Sequence, residues 1–288
     1  MRAVVIAIAL FSVAAQAQAP AAPSSAPAPA AAAAAPAPPA AAPSAAAPSA
    51  AAPAPVAAAP VAAAPAADWT ARFDELWKSR DQDTSIREMN KLLKAAQSIE
   101  PNSFDASWRQ SAVLNWQANG FPDGNDLKAQ LGKGAWEAGD RAAAAKPEDV
   151  RGQYNAGTGI GLYSEGVGIL TALSQGLEGK FRSRVQAAIR IDKGYLDGAP
   201  QVLWGRFFFK LPWPKRDLDE SVKILTAAVK DHPTNLRAKI FLADSLADSG
   251  KGDEAKALAQ QALEANPGID LPEEKRLHEM AKKWLERH

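Results

Sequence analysis

The sequence has 288 residues, no cysteine and a formal net charge of +1, but it joins two unlike polymers. Residues 20–67 hold 29 Ala, 13 Pro, 4 Ser and 2 Val without a charge, whereas the 221 residues from Asp68 onward carry 64 ionised side chains, 32 of each sign. Balanced charge excludes a nucleic-acid binder steered by bulk basicity, and the missing thiols exclude a disulfide scaffold, a cysteine nucleophile, a Cys-ligated metal and a lipid-bearing N-terminal cysteine.

Met1-Arg2 is a minimal positive start, followed by an apolar run from Ala3 to Ala14 and the small-x-small site Ala15-Gln16-Ala17. That pattern predicts a bacterial signal peptide over residues 1–17, cut before Gln18, and a periplasmic or secreted protein. The run is about a dozen residues, short of the ~20 that span a bilayer, so no transmembrane segment is expected in the mature chain. Residues 18–67 predict a disordered linker. Their recurring prolines break any helix that the alanines favour, and no large apolar group is present to bury. At ~3.1 Å per residue such an extended chain reaches on the order of 150 Å.

From residue 68 to 288 the apolar residues recur three and four apart, as in Trp69-Phe73-Leu76-Trp77 and Ile86-Met89-Leu92-Leu93-Ala96, and strand alternation is missing. The expected fold is all-α. Ser85…Glu88 and Asp217…Glu220 have the spacing of capping boxes, and Pro272 sits where a terminal helix over 272–287 would begin. Between Pro101 and Pro200 the pattern turns irregular, with a turn-rich stretch from Asn119 to Gly124 and eight glycines between Gly152 and Gly179. Each glycine weakens a helix by ~1 kcal/mol relative to Ala, so a tertiary contact has to compensate. Small residues at Ala156, Gly157, Gly161 and Gly168 would let another helix approach closely. A phosphate loop does not fit, because the Gly157/159/161 spacing lacks the order and the Lys-Ser/Thr such loops need.

Farther on a repeat emerges. His232-Pro233 and Asn266-Pro267 are 34 residues apart, and at the same offset Leu225 matches Ala259, Ala228 matches Ala262 and Phe208 matches Leu242. Leu242-Ala243-x-x-Leu246, Ala255-x-x-x-Ala259-x-x-Ala262 and Pro267 resemble the tetratricopeptide pattern of large and small positions. The resemblance implies a helical-hairpin superhelix, with its clearest repeats at 68–101, 200–233 and 234–267. Such a stack exposes a concave face made mainly by the first helix of each pair.

A narrower resemblance rests on Tyr154–Tyr163, Gly194-Tyr195-Leu196-Asp197-Gly198-Ala199-Pro200 and Leu203-Trp204-Gly205-Arg206-Phe207-Phe208-Phe209-Lys210-Leu211-Pro212-Trp213-Pro214. These segments resemble the T-component family of TRAP transporters, periplasmic tetratricopeptide-like proteins that partner solute-binding proteins. The family's usual lipid-bearing cysteine is missing here.

Catalytic patterns are sparse. His278-Glu279-Met280-Ala281-Lys282 lacks the second histidine of a zinc helix, and no Gly-x-Ser-x-Gly elbow occurs. The expectation is no enzyme, no metal and no cofactor. The binding candidates are Asn155, Tyr163, Arg206, Lys210 and Trp213. Arg206 needs a carboxylate or carbonyl partner if buried, either structural or on a ligand. Trp213, between two prolines, either plugs the hairpin end or presents a rigid ring. Lys210, Lys215 and Arg216 give the hairpin a basic mouth. Together these features predict an exported scaffold for protein–protein interaction in the envelope, by resemblance an accessory to TRAP-type solute capture with a periplasmic solute-binding protein as partner. A self-associating, homo-oligomeric envelope spacer and a small-molecule or lipid carrier are the alternatives.

Overall fold

The computed structural model describes residues 69–288, and the signal peptide and Ala/Pro-rich linker expected before them lie outside the described residues. The described part is helical throughout: α1 (Trp69–Trp77), α2 (Asp83–Ile99), α3 (Phe104–Ala118), α4 (Asp126–Ala145), α5 (Val150–Val167), α6 (Ile169–Ser174), α7 (Leu177–Ile191), α8 (Tyr195–Lys210), α9 (Leu218–Asp231), α10 (Leu236–Asp248), α11 (Gly252–Glu264) and α12 (Leu271–Arg287). Five hairpins stack in chain order, α1/α2, α3/α4, α5/α7, α8/α9 and α10/α11, with α12 closing the row. The first helices of successive pairs touch, α3 on α5, α5 on α8, α8 on α10 and α10 on α12, which lines them along one face.

Apolar periodicity explains the stacking. Phe73, Met89 and Leu93 bury between α1, α2 and α3, while Leu225, Ala228, Leu242, Ala255, Ala259 and Trp284 fill the space from α8 to α12. The alanines of the 34-residue repeat are wholly buried, as close hairpin packing requires. Two further hairpins occupy the stretch where the sequence loses its period. There α4 runs for 20 residues and α5 for 18, against 13 each for α10 and α11, and the turn before α4 adds more.

The glycines of this stretch have a packing reason. Gly132 and Gly139 on α4, and Gly152, Gly159 and Gly166 on α5, recur every seven residues along the α4–α5 seam. A Cβ at Gly159 would run into the backbone nitrogen of Trp136, and one at Gly166 into that of Ala129. Close approach is therefore real, and of the expected residues Ala156 lies in this seam, where a Cβ at Gly139 would meet its backbone nitrogen at 2.5 Å. Gly157 and Gly161 face Val185 and Phe181 on α7 instead, and Gly168 has φ +88° at the break between α5 and α6.

Helix starts follow the side-chain oxygens. Asn125, Asp149, Asp217, Asn235 and Asp270 each accept a hydrogen bond from a first-turn amide. Ser85 does not cap, contrary to the sequence expectation. Helix α2 already begins at Asp83, and the Ser85 hydroxyl instead lies 2.8 Å from that of Ser79. The entry to α8 is left-handed at Leu196 (φ 46°) and Asp197 (φ 56°), a conformation costing roughly 1–3 kcal/mol per residue. Asp197 offsets this with three contacts: its carboxylate accepts from Thr234 Oγ1 (2.8 Å) and lies 3.1 Å from His232 Nδ1, and its carbonyl accepts from Asn235 Nδ2 (2.7 Å).

Candidate functional site

Helix α8 packs tightly on α9, because Gly205 leaves its carbonyl free to accept from Ser221 Oγ at 2.9 Å. A Cβ at Gly205 would meet Leu225 Cγ at 2.6 Å. With that side fixed, the next residue, Arg206, projects toward α10. Its guanidinium lies between the rings of Phe209 (4.4 Å) and Phe241 (4.3 Å) and donates from Nη1 to Asp244 at 2.6 Å. The other Asp244 oxygen accepts from Trp284 Nε1 at 2.8 Å, which ties α12 into the same group. Both partners of this pair are mostly buried, so the carboxylate meets the need that the sequence assigned to Arg206.

One turn on, Lys210 reaches toward α5 and the turn before α4. It contacts Asp123 at 2.7 Å and Glu165 at 3.1 Å, and the buried Lys128 meets the same two acids. Burial pushes the Asp123 carboxyl up, but hydrogen bonds from Lys128 and Lys210 outweigh it and hold the group at about 2. Glu165 and Asp123 in turn raise Lys128 despite its burial. The mouth expected to be basic is therefore neutralised, since Lys215 pairs with Glu178 and Arg216 with Asp248 as well.

Arg206 and Lys210 border an apolar cleft of about 80 Å³ between α5, α6, α7 and α8, walled by Leu173, Phe181, Leu203 and Phe207. On the other side, Arg206 and Asp244 form part of an open groove of about 380 Å³ between α8, α10 and α12, with Met280, Lys283 and Arg287 along its edge. The remaining candidates lie elsewhere. Asn155 is buried; its amide donates to the Arg151 carbonyl (2.9 Å) and its backbone carbonyl accepts from Asn115 (3.0 Å), so it lines no open surface. Tyr163 packs on Trp136 with ring centroids 6.1 Å apart and donates to Gln175 at 3.2 Å. Trp213 is 88% exposed and so does not plug the hairpin end.

Several partners were invisible in the sequence. Asp244 is 38 residues from Arg206 and Asp123 is 87 from Lys210, so no local spacing marks them. On the inner helices, Arg237 of α10 donates to Glu273 of α12 at 3.0 Å, and Tyr154 of α5 meets Tyr195 edge to face at 5.4 Å. Burial pushes both phenols above their usual range. Among the described residues, no cluster of three or more His, Asp or Glu side chains is arranged to hold a metal, and no helix is long and apolar enough to cross a membrane.

Residues 215–279 match the model of the tetratricopeptide repeat family. A thermophilic tetratricopeptide protein of Thermus thermophilus superposes with a TM-score of 0.53 at 18% identity, covering 74% of this chain and 97% of that one. The helical row is a tetratricopeptide-type superhelix. Within it the match spans the end of the α8 hairpin, α9, α10, α11 and the first half of α12, where the 34-residue period is regular. Two other solved structures are similar at a lower level. MamA has a TM-score of 0.41 and 13% identity, covering 68% of this chain and 91% of its own. YrrB, a tetratricopeptide protein with an unusual peptide-binding site, has a TM-score of 0.41 and 14% identity, covering 76% of this chain and 92% of its own. No curated protein matches the chain.

Proposed function

We propose that this protein is an exported, non-enzymatic scaffold that binds a segment of another envelope protein on the concave side of its superhelix. The observation that carries this reading is the open groove between α8, α10 and α12, with the Arg206–Asp244 pair at one side and Met280 beside it. Its mixture of aliphatic surface and fixed polar groups suits a peptide segment, which offers both apolar side chains and amides. Trp213 adds an exposed aromatic anchor of the kind that dominates interface energetics. Export rests on the Met1–Ala17 pattern, and the T-component resemblance of residues 154–214 favours a periplasmic solute-binding protein as partner. A pull-down from envelope extract through residues 68–288 is expected to recover such a protein. Recovery of nothing from a cross-linked sample would count against the scaffold.

The apolar cleft favours one second reading, a carrier of a small apolar ligand. Solvent extraction of the purified protein followed by mass spectrometry separates the two, since a scaffold yields no stoichiometric small molecule.

A further inference from the structure

The two ends of the superhelix meet. Arg80, in the turn after α1, is 4% exposed, and its guanidinium lies 4.5 Å from the Trp77 ring and 4.4 Å from that of Trp116. From there Nη2 donates to both oxygens of Asp270, the N-cap of α12, at 2.7 and 2.6 Å, across 190 residues of sequence. Trp116, at the end of α3, donates from Nε1 to the Arg80 carbonyl at 2.9 Å. A second guanidinium, Arg276 of α12, lies 3.3 Å from the centroid of the same indole and donates to the Trp116 carbonyl at 3.0 Å. At the rim Lys275 meets Asp81 at 3.1 Å.

This seam differs from the apolar junctions at the two ends of the stack. There α1/α2 shares buried apolar side chains with α3, and α8/α9 shares them with α10/α11, while the cores of the two ends are built separately. Phe73, Leu76, Met89, Leu93, Ala106 and Val113 form one, and the clusters holding Leu277, Ala281 and Trp284 form the others. Among the described residues, no core cluster joins α1 or α2 to α12. Charge pairs, cation–π contacts and hydrogen bonds hold the seam, and salt and water reach it through the exposed Asp270 carboxylate and the Lys275–Asp81 rim as they do not reach an apolar core. Its contacts run between α12 and the α1–α2 turn with Trp116, so parting it unstacks none of the neighbouring hairpins.

We propose that the contact of the α1–α2 turn and Trp116 with α12 is a reversible clasp, which closes the superhelix on itself and opens to let a partner segment pass from the open groove onto the enclosed inner face at Arg237 and Tyr154. The second half of this statement rests on the binding function proposed above, and the first half does not. A clasp of this kind sets access by charge: anything that competes for Arg80 or Asp270, whether salt or an acidic or basic stretch of the incoming chain, favours the open form.

The absence of native cysteine makes a two-label measurement clean in the full chain. With Lys78→Cys and Glu279→Cys carrying spin labels, the expected result at low salt is one narrow, short distance distribution. Asp270→Asn with Lys275→Glu should broaden it toward longer distances, as should 1 M salt, where the screening length falls to ~3 Å. Asparagine still caps α12, so helicity by circular dichroism should not change. Lys275→Glu alone should lengthen the distance in part, and adding Asp81→Lys to it should restore the short distance, which a folding defect would not do. A distribution unmoved by both the double substitution and the salt overturns the clasp.

Joining the same two cysteines with a short bis-maleimide then tests access, and capture of the envelope partner should fall at least tenfold. Equal capture by joined and unjoined protein refutes entry through the clasp. If the label distances respond as expected but no form captures a protein, the binding reading fails while the clasp stands.

Discussion

Gly159→Ala places one methyl group into the α4–α5 seam, where two backbones meet. The new Cβ would run into Trp136 N and stand 2.8 Å from Trp136 Cα, both backbone atoms that cannot rotate away. Ordinary contact requires roughly 1 Å more, and the seven-residue series of glycines spreads that separation along the whole interface. Overpacking of this type costs about 1–3 kcal/mol, and a rigid backbone seam belongs at the upper end. Replacing a helical glycine by alanine returns about 1 kcal/mol. The net expectation is a loss of about 2 kcal/mol, or a melting temperature lower by roughly 4–8 °C for a domain of this size. Gly179→Ala on α7 is the control, because a Cβ there meets nothing within 4 Å. It should be neutral or stabilising by about 0.5–1 kcal/mol. Thermal melts followed by far-UV circular dichroism measure both. A Gly159→Ala protein melting at or above wild type would refute the close-seam explanation of the glycines.

Asp244→Ala strands the mostly buried Arg206 guanidinium and the Trp284 indole N–H together, so urea titration should show a loss of about 2–4 kcal/mol. Trp213→Ala should leave stability within ~0.5 kcal/mol of wild type, since the ring is 88% exposed, yet reduce partner capture if the ring is an anchor. Acid stability reports on Asp123, whose carboxyl falls from an ordinary 3.8 to about 2 in the fold. A depressed carboxyl contributes stability above its unfolded value and loses it as pH drops toward its folded one. Asp123→Asn should therefore flatten the pH dependence of unfolding between 3.8 and about 2, as followed by denaturant midpoints.

The fold was legible where local pattern carries it. The 34-residue period from Pro200 to Pro267 needs only small residues at fixed offsets, and Leu225, Ala228, Ala255, Ala259 and Ala262 are all buried where that pattern requires. Asp217 caps α9 as its spacing implies, while Ser85 does not cap α2, because a capping box resembles any Ser-x-x-Glu inside an amphipathic helix. The 34-residue period is lost over the central hairpins because α4 and α5 outgrow the repeat, and the glycines that fit them together carry no apolar signal. The site was less legible still. Arg206 and Lys210 were readable as charges on an apolar helix, but Asp244, Asp123, Glu165 and Asp270 reach their partners only through the tertiary stack. Asn155 was a binding candidate in the sequence, but its hydrogen bonds with Asn115 and Arg151 hold it inside the protein.

Site-specific photo-crosslinking tests the scaffold claim most directly. A photoreactive residue at Met280, beside the groove between α8, α10 and α12, should capture one protein reproducibly in intact cells. The same residue at Lys256, exposed on α11, should capture none. Equal capture at both positions, or none at Met280, would contradict binding on the concave face.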